Sequence, residues 1–193
     1  MLLADTPAGL DTGDTAWLLA STALVLLMTP GLALFYGGMV RTKSALNMIM
    51  MSFVSIAVVT VVWLLAGYSL AFAPDLGGLG LIGGPDHLGM AGITPASLTG
   101  KVPTLLFATF QLTFAIITAA LISGAVADRA KFGAWVLFTA VWTLLVYVPV
   151  AHWVFAPDGW ILSRLGALDF AGGLVVEVNC GASGLAPAPV LGP

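Results

Sequence analysis

Glu177 stands in the run DFAGGLVVEVNCGASG, residues 169–184, between Val176 and Val178. A carboxylate at the centre of a bilayer costs on the order of 3 kcal/mol, so it should face a pore or a partner. Two uses compete for it: handling charge on a conduction path, or pairing with another helix to hold packing. Asp169 opens the same run. A carboxylate ahead of a helix accepts the first free N–H groups, so a capping role is expected, with electrostatic shaping of a cation route as the alternative. Phe110 and Phe114, in FATFQLTF, are four apart and share a helix face. Taken alone, such a pair is read as packing; a dewetting constriction or a cation–π surface is the sharper reading. His152, in VAHWVF, is expected to be a hydrogen-bonded structural histidine, and His87, in a glycine-rich stretch, to have no role. The two lie far apart with no cysteine or carboxylate spacing around them, so no metal site and no cofactor is expected. No Ser/His/Asp arrangement points to an enzyme. Cys180 is the single cysteine, which excludes an internal disulfide. It belongs to the small-residue run NCGASG, which permits close helix approach.

These groups need a scaffold, and composition says what surrounds it. The chain has 193 residues, 60% hydrophobic and 8% charged, with a mean hydropathy of +1.07. Soluble domains carry about 25% charge, so the solvent is lipid and the expected class is an all-α membrane protein. A net charge of −3 argues against a nucleic-acid partner. The N-terminal MLLADTPAGLDTGDTAW has no basic region and resembles neither a signal nor a transit peptide. Charge-free windows run from Thr15 to Val40, Ser44 to Pro74, Val102 to Ala127 and Phe132 to Pro157, and a last one follows Asp169. About 20 residues cross a bilayer core, so about five transmembrane helices are expected, near 15–40, 44–73, 102–127, 132–156 and 170–190. Residues 1–14 precede them as an extracellular N-terminus, and 15–193 form one domain. Pro187, Pro189 and Pro193 crowd the end of the fifth. Residues 75–101 hold eight glycines with Pro85 and Pro95 and read as an extramembrane loop. Within it, GGLGLIGGP lacks the lysine and the strand–loop–helix setting of a phosphate cradle.

Loop charge gives a direction. Arg41 and Lys43 follow the first window, and Arg129 and Lys131 follow the third, while the opposite side has only Lys101 and Arg164. The positive-inside rule puts the N-terminus outside. Asp5, Asp11, Asp14, Asp75, Asp86 and Asp158 then share the outer side, where they concentrate cations mildly or serve solubility.

Several stretches resemble the Amt/Mep/Rh ammonium transporter family. LVLLMTPGLALFYGGMVRTKSALNMIMMSF is similar to its first two spans, FQLTFAIITAALISGAVADRAKF to its third, and VPVAHWVF with GALDFAGG to its fourth and the start of its fifth. The resemblance covers Asp14 to Leu185 and looks like the bacterial Amt branch. It implies the first half of an eleven-helix inverted-repeat fold, assembled as a homotrimer in the plasma membrane with the N-terminus outside. It implies ammonium recruited at an outer aromatic site, passed by two stacked phenylalanines and deprotonated on the way into a narrow hydrophobic pore. On that resemblance the gate falls on Phe110 and Phe114, which displaces the packing reading. The outer aromatic falls on Phe155, with Trp153 or Trp160 as substitutes. Asp169 matches the family's buried aspartate.

Glu177 is a departure, since the family pattern places the first of two pore histidines there. Some fungal Mep proteins carry glutamate at this position. A neutral imidazole passes a proton; a deprotonated carboxylate puts a negative charge in the pore. A PII-type regulatory protein is the partner the family implies at the cytoplasmic face. GLAPAPVLGP also departs from the pattern, and the chain stops where a sixth helix is expected, so a truncated or frame-changed product is anticipated. The function expected is that of the parent protein. An ammonium sensor with little flux and a non-functional fragment are the alternatives.

Overall fold

The computed structural model describes residues 9–187 and 190. The first helix, α1 (Thr12–Met39), begins three residues before the charge-free window because Asp11 caps it. The Asp11 carboxylate accepts the Asp14 N–H at 2.9 Å. That bond holds the carboxyl below the usual range. A two-residue break leads into α2 (Thr42–Val62), which runs through a π turn at Trp63–Gly67 into α3 (Tyr68–Phe72) as one continuous rod. A third rod is α4 (Thr104–Ile122) with a 3₁₀ turn at Ser123–Val126. The fourth comprises α5 (Phe132–Trp142), a second π turn at Thr143–Tyr147, and α6 (Val148–Phe155). Pro149, which has no N–H, sits just past this turn, where the lost ladder bond lets the helix widen.

Four helices among the described residues are long and apolar enough to cross a membrane: Thr12–Met39, Thr42–Phe72, Thr104–Val126 and Phe132–Leu165. The last of these stretches continues past α6 through a turn into α7 (Trp160–Leu165), a short helix not anticipated from composition. The fifth helical stretch is a π segment of 6 residues, Gly173–Val178, followed by α8 (Asn179–Leu185) of 7. At about 1.5 Å per residue, Gly173–Leu185 covers roughly 20 Å. Its expected extent to residue 190 passes through positions 188 and 189, which lie outside the described residues. The glycine-rich connection carries a small hairpin, β1 (Leu98–Thr99) against β2 (Val102–Pro103), antiparallel with Leu98 opposite Pro103.

The third span is the hub. Half of its most apolar window is buried, against 11% for the first span, so α4 is packed on several sides and α1 lies along the outside. α4 meets α1, α2 and α8, and α3 meets α6. Tryptophan indoles tie the rods together. Trp63 donates to the Ala108 carbonyl at 3.1 Å, Trp135 to the Met51 carbonyl at 2.8 Å, and Trp142 to Ser183 Oγ at 2.9 Å. A buried indole N–H needs such a partner, so each bond fixes one span against another. On the side given to the basic loops, Arg41 Nε donates to Asp128 at 2.9 Å and links the two connections.

Candidate pore-lining site

Phe110, Phe114, Ile117 and Leu121 repeat at spacings of four, three and four along the third span, one face of a helix. Threonine hydroxyls secure the backbone beneath both rings. Thr113 donates to the Phe110 carbonyl and Thr118 to the Phe114 carbonyl, each at 2.6 Å. The rings meet edge to face, with centroids 4.9 Å apart and an interplanar angle of 89°, so within this chain they do not form a parallel stack. Both are half-buried.

Ile117 and Leu121, lower on the same face, share a groove of about 360 Å³ with Met28, Gly31, Leu32 and Phe35 of α1 and with Val176 and Glu177. Glu177 is exposed there, while Val175 and Val176 turn into the core. The carboxylate is thus the charged side chain among the groove's otherwise apolar lining. Asp169 is placed differently. Its Oδ1 accepts from Gly172 and Gly173, both at 2.7 Å, and its Oδ2 from Leu174 at 2.9 Å and Val175 at 3.0 Å. Four amide N–H groups that a helix start leaves free are satisfied by one side chain. Gly172 makes the turn possible with φ +85°, and a Cβ there would lie 2.7 Å from Val176 Cγ2.

Phe155, the last residue of α6, lines a separate cavity of about 450 Å³ with Tyr68, Phe72, His87, Phe107 and Thr104. Phe72 and Phe107 meet edge to face at 5.1 Å, so the cavity wall is aromatic on several sides. The two alternative outer aromatics are engaged elsewhere: Trp153 donates its indole N–H to the Leu81 carbonyl at 2.7 Å, and its ring packs on Trp160 at 6.0 Å. His87 Nδ1 lies 3.1 Å from the Ala91 carbonyl. Cys180 is half-buried beside Glu177, its Sγ 3.3 Å from the Glu177 carbonyl. No group of three or more His, Cys, Asp or Glu side chains among the described residues is arranged to hold a metal ion.

Sequence reasoning missed two features. The first is the company Phe155 keeps, since Tyr68, Phe72 and Phe107 come from two windows read as plain apolar spans. The second is the pairing of Asp75 and Asp158 beside His152, with Nε2 3.4 Å from Asp75 Oδ1 and 3.9 Å from Asp158 Oδ1. A signal for it was present, because the second and fourth spans both end in FAPD, at 72–75 and 155–158.

Membrane-length helices, an aromatic stripe and a groove with one carboxylate define a helical membrane protein. The comparisons with known proteins narrow that class. The family model described as Ammonium Transporter Family matches residues 16–193, and the chain belongs to that family. It is 55% identical to an ammonium transporter of Mycobacterium tuberculosis over 94% of this chain and 43% of that protein. It is 53% identical to an ammonium transporter of Bacillus subtilis over 93% of this chain and 44% of that protein. The crystal structure of Saccharomyces cerevisiae Mep2 superimposes with a TM-score of 0.89 at 37% identity, over 98% of this chain and 42% of that one. The chain therefore spans less than half the length of the relatives it matches.

Proposed function

We propose that this chain forms part of the wall of a pore that carries ammonium or ammonia across the plasma membrane, with the N-terminus outside. Cations gather at the acidic outer surface, meet the aromatic wall around Phe155, pass the edge-to-face pair Phe110 and Phe114, and give up a proton on entering the apolar groove. Glu177 is the proton acceptor in this reading, and Asp169 fixes the helix start that aims it. The observation that carries the reading is the continuous face Phe110–Phe114–Ile117–Leu121 leading to a groove whose charged group is Glu177. A cation over an aromatic face gains about 0.5–2 kcal/mol, enough to favour recruitment without trapping. Beyond the rings the lining is apolar, which favours the neutral species over the ion.

The relatives named as ammonium transporters support the substrate. A homotrimer in the membrane fits the exposed outer side of α1, where Trp17, Leu24, Leu27 and Leu34 have no partner within the chain's core. Arg41, Lys43, Arg129 and Lys131 supply a basic cytoplasmic face for a PII-type regulator. The test is electrical, on the whole transporter that carries this chain in liposomes. Ammonium-driven current should be lost in Glu177→Gln and retained in Glu177→His. Unchanged current and pH dependence in both variants would end the assignment of Glu177. A solved structure described as Sensor Amt Protein, with a TM-score of 0.81 at 28% identity, favours a second reading as an ammonium sensor. Ammonium-dependent signalling with no flux would select it.

A further inference from the structure

His152 is fully buried, and two buried polar atoms beside it, its own Nε2 and Asp75 Oδ2, have no hydrogen-bond partner. Nδ1 lies 2.9 Å from the Ala71 carbonyl. A carbonyl only accepts, so Nδ1 carries a hydrogen. A neutral ring would then aim the bare lone pair of Nε2 at Asp75 Oδ1, 3.4 Å away, and at Asp158 Oδ1, 3.9 Å away. The Nε2 lone pair and Asp75 Oδ1, with no hydrogen between them and side chains only 0% and 5% exposed, would repel each other where water screens little, while Asp158 adds its charge from the more exposed side.

We propose that His152 carries a second proton on Nε2 and that its pairing with buried Asp75, beside the 43% exposed Asp158, clasps the 75–82 loop to the end of the fourth span, setting the place of Phe155. The second half of this proposal rests on the reading of Phe155 as the outer aromatic; the first half does not. The proton belongs to the ring rather than to Asp75, because N–H groups of Gly80, Ile82, Leu81 and Gly78 hold the Asp75 carboxyl below the usual range. The facing charges come from two elements, Asp75 after α3 and Asp158 after α6. Arg164 of α7 is turned to the same loop, donating to the Leu79 carbonyl at 3.2 Å.

The rest of the clasp surrounds this pairing. Asp158 Oδ2 accepts the Asp75 N–H at 2.6 Å, Trp160 N–H reaches the Gly80 carbonyl at 3.1 Å, and the Trp153 indole reaches Leu81. Gly80 has φ +73°, and a Cβ there would lie 2.5 Å from Trp160 N, so the loop comes as close to α7 as a backbone can. His152, Trp153 and Phe155 occupy the last turn of α6, so whatever holds the first two sets the direction of the third. The duplicated FAPD supplies both carboxylates from the ends of two neighbouring spans.

The experiment is ¹⁵N NMR of histidine-labelled protein in lipid nanodiscs at neutral pH, with His87→Gln used to assign the second ring. His152 should show hydrogen on both nitrogens. In Asp75→Asn the Nε2 hydrogen should disappear, and the Trp153 indole should exchange with solvent about tenfold faster, the mark of roughly 1.4 kcal/mol lost from the clasp. Asp158→Asn should act in the same direction and less strongly. A wild-type ring with hydrogen on Nδ1 alone overturns the proposal without recourse to any variant. Loss of the Nε2 hydrogen with no change in indole exchange overturns the clasp. None of these signals needs ammonium flux, so a non-conducting protein with a doubly protonated His152 sinks only the transport reading.

Discussion

Asp169 and Glu177 lie eight residues apart on one short helical stretch, and the fold uses them in opposite ways. Asp169 is filled: four backbone N–H groups converge on its two oxygens. Glu177 is offered: it stands exposed in a groove lined by α1 and α4. A carboxylate with that many amide donors has few lone pairs left for a passing cation, whereas one standing exposed in a groove can be reached by whatever enters. The difference comes from position on the helix. Free N–H groups exist only in the first turn, so the same functional group is structural at one end and available two turns later.

The strongest test of that contrast is to remove each carboxylate in turn. Asp169→Ala strands four N–H groups and should cost about 3 kcal/mol or more, since hydrogen bonds to charged groups contribute about 1.5–3 kcal/mol each and partial rehydration offsets some of the sum. Thermal unfolding in nanodiscs reads the cost, and hydrogen exchange at Gly172–Val175 locates it. Next in size is the phenylalanine pair. Phe114→Ala removes half of an edge-to-face pair at a half-buried site and should lower stability by about 1–3 kcal/mol, below the range for a fully buried ring. Glu177→Gln should change stability by less than about 0.5 kcal/mol while removing the ammonium-driven current. A large loss of stability there would mean that Glu177 is a packing group and would erase the contrast.

Asp11 provides a smaller version of Asp169, with one N–H accepted in place of four. Its folded pKa is depressed by the Asp14 N–H. The cap's contribution is therefore complete above the unfolded value of about 3.9 and fades as pH falls through the folded value. Acidification below about pH 4 should fray the first turn of α1, seen as faster exchange at Asp14 and Thr15, with the rest of the rod unchanged. Least affected should be Arg41→Ala. Arg41 is 66% exposed, so its ion pair with Asp128 is screened by water and its removal should leave the melting curve nearly unmoved.

Charge-free windows overlap the four membrane-length helices, because a bilayer forbids unpaired charge over a fixed thickness, although the fourth stretch runs on to Leu165. The helix ends shifted where a side chain intervened, as Asp11 did at Thr12. The three π segments were not foreseen, since hydrophobicity carries no record of whether a ladder bond skips four residues or five; Pro149 was the one local hint. Phe110 and Phe114 could be paired from their spacing, yet the spacing carries no record of their perpendicular arrangement. Asp75 and Asp158 read as scattered loop acids, although they are 83 residues apart in sequence and adjacent in space.

The sequence by itself determined that this chain belongs in lipid and which few groups carry charge among its helices, because burial in hydrocarbon is a demand that each segment meets or fails alone. Only the tertiary structure decided which carboxylate is consumed by backbone and which faces a groove, which aromatic rings share a cavity with Phe155, and that His152 sits between two aspartates. Those outcomes depend on distances between rods, and such distances are set by the packing of side chains far apart in the chain.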